Sequence, residues 1–383
     1  MSKKIVKHKT AKFTLEPDGF SIHTMELSME ITYREFHTLK EHLYRQQGNT
    51  KGGWIYPDDR GNYICMYYKE CGIRITLEHN SSESMETYYI RMVVNPRKLI
   101  DPESSYIGIL PPEESSIKKL KNAFTKLFKD TVFESDINSY QLKRVDLCTN
   151  IRCDNKKLFR ELVRVLRKLP DPPKYERRFY KHKDKKKANR YNKHYLRFHC
   201  RTKELVIYDK TYQVRNGELI VSYEKLPEGV LRFEVHCERD YIRRLEKRFG
   251  TDVTEELLWC LIEESERLTT DHFARCFSDA RFLQIDDLTD AIAKSAFRKK
   301  NKEAMQELAA RLQRTQSVDK ALEKMAKVGY STDGLLGRFD ALGISPVPLR
   351  KNFCAKELPG PVELLRAVSS KEVTVEYIEV KYK

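Results

Sequence analysis

Three segments in the middle of the chain each carry an acidic residue on a strand-like run. They are Arg144-Val145-Asp146-Leu147-Cys148-Thr149-Asn150, Leu205-Val206-Ile207-Tyr208-Asp209-Lys210 and Leu231-Arg232-Phe233-Glu234-Val235-His236. Clustered carboxylates repel one another and are stable together only around a cation; hard oxygen ligands suit Mg²⁺ or Mn²⁺. Such an ion would polarise a phosphate and neutralise charge in a transition state. Tyr191 and Tyr195 lie between the first and second segments. A phenol with an ordinary pKa of ~10 needs a metal, base or cation to act as a nucleophile. Its attack on phosphate would give a phosphotyrosyl ester. The alternative is plain charge balance, with Asp146, Asp209 and Glu234 paired to Arg144, Lys210 and Arg232.

Strand periodicity sorts these side chains. Val145, Leu147 and Ile151 form one face and Arg144, Asp146, Cys148 and Asn150 the other. Leu231, Phe233 and Val235 oppose Arg232, Glu234 and His236, and Tyr195, Arg197 and His199 share the polar face of a third strand. Paired in a sheet, these polar faces converge. Asp209 breaks the pattern by falling with Leu205 and Ile207, so only a strand end or bulge would aim it into the same site. His199 and His236 are further candidates for a ligand or general base.

The chain has 383 residues and a formal net charge of +16, with 40% hydrophobic and 33% charged residues. That balance fits a folded, polar protein whose partner is an acidic polymer or surface. From Lys174 to Lys203, thirteen Lys/Arg stand against two acidic residues, so +11 of the excess lies at one locus. Its cations include Arg177, Arg178, Lys181, Lys183, Lys185, Lys186, Lys187, Arg190, Lys193 and Arg197, interleaved with Tyr175, Phe179, Tyr180 and Phe198. Cations release counterions from phosphate and rings stack on unpaired bases, which predicts nucleic acid. Nine cysteines without a Cys-x-x-Cys predict a reducing compartment, and the absence of a leader-like or spanning apolar run predicts a cytoplasmic protein with no membrane partner.

The elements that must position these residues read as α+β, a central antiparallel sheet with helices on one face and a helical C-terminal region. Three regions are expected: 1–135 mixed α/β, 136–250 the core, and 251–383 helical. Strands are predicted at Ser21–Thr32, Tyr63–Tyr68, Ile73–Glu78 and Thr87–Asn95, with a helix from Tyr33 to Gln47 and a loop at Gly52-Gly53. Helices are predicted over Ser116–Asp130 and from an Asp154 N-cap to Leu169, and a turn near Asn216-Gly217. The C-terminal helices are predicted at Tyr241–Phe249, Val253–Leu268, Asp287–Ala296 and Asn301–Val328. Ser317–Val328 and Ser331–Leu342, parted by Gly329, have helix-turn-helix proportions.

The ordered motifs Arg-Val-Asp-Leu-Cys-Thr-Asn, Leu-Val-Ile-Tyr-Asp-Lys and Leu-Arg-Phe-Glu-Val resemble those of rolling-circle replication initiators of phages and plasmids. The likeness is closest to the group of the filamentous-phage replication endonuclease and related initiators of Gram-positive plasmids and transposons. Ile90-Arg91-Met92-Val93-Val94-Asn95-Pro96-Arg97-Lys98-Leu99 is similar to the strand-Asn-Pro segment of that group. The resemblance spans roughly residues 60–250, with an echo at 329–349. It implies a relaxase-like sheet that nicks one strand of single-stranded or cruciform origin DNA and works beside a host helicase. It further implies a divalent ion on Asp146, Glu234 and Asp209, a nucleophile at Tyr195 with Tyr191 in reserve, and phosphate contact by Lys210. None of the ten histidines forms the His-hydrophobe-His triplet of the wider superfamily, which points to its carboxylate-rich branch. A DNA-binding regulator without cleavage would explain the charge and the helical hairpin but not the placed carboxylates. RNA binding through the sheet's aromatic residues is a third possibility.

Overall fold

Alternating apolar and polar residues over long β-rich runs drive one large sheet in the computed structural model, which describes residues 4–47, 55–66, 68–82, 85–216, 227–370 and 372–382. Its first strand, β1 (Lys4–Ile31), is followed by helix α1 (Tyr33–Gln47) and strands β2 (Ile55–Pro57), β3 (Tyr63–Cys65), β4 (Ile73–Ser81) and β5 (Glu86–Val94). Helices α2 (Pro96–Ile100) and α3 (Glu114–Phe128) lead to β6 (Gln141–Cys153), and α4 (Lys156–Leu166) to β7 (Glu176–Arg177). Then come α5 (Lys185–Tyr191), β8 (Tyr195–His199), β9 (Lys203–Asp209), α6 (Lys210–Asn216) and β10 (Val230–Cys237). The α+β class expected from the sequence is what forms.

The sheet order is β2-β3-β4-β5-β1-β6-β10-β9-β8-β7, with every pair antiparallel. Strands from residues 1–135 and from 136–250 are thus neighbours, so the boundary at 135 divides the chain but not the sheet. Asn95 caps α2 by accepting from the Lys98 N–H, and Pro96 supplies its first residue. The predicted N-cap of α4 is off by one residue. Asn155 accepts from the backbone of Lys157 and Leu158, while Asp154 accepts from the Lys12 N–H. The Gly52-Gly53 loop and Gly217 lie outside the described residues.

Beyond Asp240 the chain forms α7 (Arg239–Phe249), α8 (Thr254–Glu263), α9 (Ser265–Ala274), α10 (Ile285–Lys294), α11 (Lys299–Leu312), α12 (Val318–Lys327), α13 (Leu335–Ala341) and α14 (Pro361–Ser370). The predicted helix at 253–268 is two helices meeting at Glu264, and 301–328 is also two. Residues β11 (Phe282–Leu283) and β12 (Glu357–Leu358) make a small separate pair. The last strand, β13 (Val373–Tyr382), departs from the helical expectation. It pairs with the N-terminal half of β1, from Lys4 opposite Tyr382 to Phe13 opposite Val373.

Helices α4 and α7–α9 cover one face of the central strands. The apolar face read from the sequence is buried (Val145, Leu147, Ile151, Leu205, Ile207, Leu196, Phe198, Phe233 and Val235), and in β6, β9 and β10 the opposite face is buried as well. Phe273 of α9 meets Phe233 edge-on with ring centroids 5.3 Å apart, and Phe277 lies 5.6 Å from Phe198. Burying rings of this size fixes the strand register, because a one-residue slip would turn them to the opposite face.

Candidate active site on the polar face of the sheet

The strand register sets the opposite face out in three rows. Thr24, Asp146, His236, Glu204 and His199 stand side by side across β1, β6, β10, β9 and β8. Ser21, Cys148, Glu234, Val206 and Arg197 form the next row, and Asn150, Arg232, Tyr208 and Tyr195 a third. Antiparallel partners share a face, so parity alone gathers these side chains. Asp146, Glu234, Tyr195 and Arg197 share this face, as the sequence predicts, but Tyr195 lies three strands and two rows away from Asp146.

The sequence reading missed two members of this face. Glu204 is buried; it accepts from Arg197 and stands 2.8 Å from His199 Nδ1 and 3.2 Å from His236 Nδ1. Its parity was legible, since it shares a face with Tyr208, but Glu204 lies outside the Tyr-Asp-Lys motif that contains Asp209. His23 sits at an irregularity of β1, between the pairs Ile22–Leu147 and Thr24–Asp146. The bulge turns it onto the polar face, 3.1 Å from Glu234 Oε1. No sequence signal marks that bulge.

His236 is the centre of the cluster. Its Nε2 lies 3.0 Å from Glu234 Oε2, and its Nδ1 lies 3.2 Å from Glu204 and 4.0 Å from Asp146. Burial opposes its protonation, yet Asp146, Glu204 and Glu234 together raise its pKa to about 10. Burial would raise the Glu234 carboxyl as well, but hydrogen bonds from His23 and His236 hold it well below the usual range. Burial dominates at Asp146 and raises its pKa against His236 and Arg144. His23 is pushed down to about 3 by burial and by Arg232 and Lys210. The imidazolium of His236 thus occupies the place between the carboxylates where a cation was expected.

Charge pairing inside the strands is also present. Arg144 grips Asp146 with both nitrogens, at 2.9 and 3.0 Å, and Arg232 lies 3.6 Å from Glu234. Tyr208 donates to Glu234 at 2.7 Å. Arg232 itself is completely buried and donates to Asn150 Oδ1 and the Ile107 carbonyl. The neutral imidazole of His23 with Asp146, Glu204 and Glu234 offers ligand types suited to Mn²⁺, whereas protonated His236 has no lone pair for a metal. Among the described residues, no three His, Cys, Asp or Glu side chains are arranged to hold a metal ion.

One predicted residue is placed elsewhere, and a second, Lys210, is buried beside the cluster. Asp209 faces away, as its parity required: its register partner is Leu231. It accepts from the Tyr212 N–H at 2.8 Å and lies 3.1 Å from His194 Nδ1, capping the start of α6 instead of joining the cluster. The Lys210 amine is turned inward, not toward solvent. It is buried and donates to Gln213 Oε1 at 2.9 Å, and its pKa falls well below the ordinary value through burial and Arg232.

Both candidate tyrosines border the cluster. Tyr195 is half-buried, which raises its pKa, while Arg197 beside it pulls the other way. Tyr191, at the end of α5, lies 5.4 Å from the Tyr195 ring, and its phenol meets Gln213. The basic stretch is folded: Asp184 caps α5 by accepting from the Lys186 N–H. Arg178, Lys181, Lys183, Lys185, Lys186, Lys187, Arg190 and Lys193 are exposed. Arg177 is not an open cation, since it binds Asp171 at 2.6 Å and the carbonyls of Arg167 and Leu169 and lies over Phe198.

No family model matches the chain, and no curated protein is significantly similar to it. No helix among the described residues is long and apolar enough to cross a membrane.

Proposed function

We propose that the chain nicks one strand of origin DNA as a rolling-circle replication initiator of a phage, plasmid or transposon. The observation that carries this reading is the position of Tyr195. It stands on the same face as Glu234, His236 and Asp146, beside Arg197, at the edge that bears the basic stretch. The Tyr195 oxygen attacks phosphorus, the bond to the 3′-oxygen breaks, and the phenol's proton ends on the released 3′-hydroxyl. The product is a 5′-phosphotyrosyl ester that conserves the bond for rejoining. Asp146 and Glu234, with the neutral His23 imidazole, would hold Mg²⁺ or Mn²⁺. Such an ion would polarise the scissile phosphate. Arg197, fixed by Glu204, shields charge on the phosphate, and the exposed cations of residues 178–193 hold the unpaired strand. Origin DNA, a host helicase and a cytoplasmic setting complete the reading.

The test is covalent capture. Incubated with Mn²⁺ and a pool of labelled hairpin oligonucleotides with randomised loops, the protein retains label through boiling in detergent, and Tyr195→Phe abolishes it. Full labelling of that variant would end the assignment.

One observation favours a second reading, DNA binding without cleavage. Asp146 and Glu234 are already matched by Arg144, Arg232 and His236. That reading predicts metal-independent duplex binding that Glu234→Gln leaves unchanged; the nicking reading predicts loss of adduct in the same variant.

A further inference from the structure

We infer that a second phosphate of the strand is bound in a cleft that the sheet edge shares with the C-terminal helices, an inference that takes only the strand's identity from the nicking reading. The cleft has a volume of about 80 Å³, enough for a phosphate group but not for a whole nucleotide. Arg167, Arg178, Phe179, Tyr195, Arg197 and Lys320 line it. They come from four places in the chain: the end of α4, the segment after β7, strand β8 and the first turn of α12. Backbone bonds lock these together. The Arg178 N–H donates to the Arg197 carbonyl at 2.9 Å, and the Val318 N–H donates to the Lys168 carbonyl at 3.0 Å.

The cations outnumber the acids that answer them. Asp171 is committed to Arg177 at 2.6 Å, and Asp319 also turns toward it at 3.9 Å. Glu204 serves Arg197 and, at 3.7 Å, Arg178. Lys320 donates to the neutral Gln316 Oε1 at 3.2 Å with Glu323, already paired to Lys327, as its nearby acid, and no ion pair engages Lys320 or Arg167 among the described residues. Burial and the neighbouring Arg177 both disfavour the charge on Arg167. Guanidinium groups held together without a matching anion repel, and a phosphate with several acceptor oxygens relieves that repulsion through charge-assisted hydrogen bonds. Free phosphate would leave one feature idle. The Phe179 ring is 64% exposed at the cleft mouth, where a base of the same nucleotide can stack on it. Because Tyr195 lines the cleft, a strand phosphate held there lies next to the one that Tyr195 faces. The C-terminal helices thereby become part of the DNA site through Arg167's neighbour α12, independently of any helix-turn-helix.

Binding of a fluorescein-labelled oligothymidylate to the full chain, followed by anisotropy without divalent ions, tests this. Arg167→Gln with Lys320→Glu should weaken binding about ten-fold and lower the salt slope by about 0.7 per lost contact. Phe179→Ala, a surface change, should weaken binding with the slope unchanged. Neutralising single linkages as methylphosphonates should reveal one position whose effect in wild type vanishes in the Arg167/Lys320 variant. Wild-type affinity and slope in folded variants would overturn the inference, and Lys320→Gln provides the same readout if the double variant does not fold. Since no chemistry is needed, a changed slope without any adduct would keep the cleft and retire nicking. Adduct formation with an unchanged slope would do the reverse.

Discussion

Burying Asp146, Glu204 and Glu234 within one sheet face requires compensating charge, because each ion loses several kcal/mol of solvation (~ several per ion) on leaving water. His236 supplies part of that charge, with Arg144, Arg178, Arg197 and Arg232 alongside it. The environment sets each imidazole differently. His272 of α9 is buried against Tyr241 Oη at 2.9 Å and Lys203 Nζ at 3.4 Å, and burial and Lys203 lower its pKa to about 3. The folded state therefore binds this proton less readily than the unfolded chain, whose histidines titrate near ~6.5. Stability is unaffected by this group above about pH 6.5 and falls as pH drops from there toward 3, by up to ~1.4 kcal/mol per pH unit. Urea melts at pH 7.5 and 5.5 should show His272→Gln recovering about 1 kcal/mol of the acid-induced loss. An identical loss in both proteins would contradict the assignment. At this scale the sequence disclosed residue type and face but not partners: Asp146 and Glu234 were legible, whereas the imidazolium between them was not.

The elements explain which residues reached the site. Alternation in β6, β8 and β10 was readable because large apolar residues dominate one face, broken between Val145 and Ile151 of β6 only by Thr149. The same alternation already placed Asp209 on the wrong side, against its grouping with Asp146 and Glu234 as a third strand carboxylate. Its carboxylate holds the first turn of α6. Asp209→Ala should therefore cost about 1 kcal/mol of stability, as the loss of a helix cap does. Adduct formation should persist in that variant, and its disappearance at a temperature where the protein is folded would return Asp209 to the chemistry. His23 was invisible because a bulge is a property of strand pairing, not of composition. The strand alternation of Val373-Thr374-Val375-Glu376-Tyr377 can be read locally, but its pairing with Lys4–Phe13 joins opposite ends of the chain and no local pattern encodes it.

Across the whole molecule, β1 is the element that unites the parts. Its N-terminal half pairs with β13, its centre with β6, and its C-terminal half with β5. One strand thus spans all three expected regions, and a sheet of this extent gives the polar face a fixed floor. The positive excess is collected at the sheet edge near Tyr195, where α5 and the segment before it are exposed. A field of one sign next to a nucleophile draws a polyanion to that edge, so charge and chemistry converge on the same place. The most direct measurement is the identity of the residue that carries DNA. Wild-type protein trapped on labelled oligonucleotide with Mn²⁺, then digested and sequenced by mass spectrometry, should yield a nucleotide-modified peptide with the bond at Tyr195. Modification at a tyrosine remote from Glu234, or a strand cut that leaves no covalent product, would contradict the account.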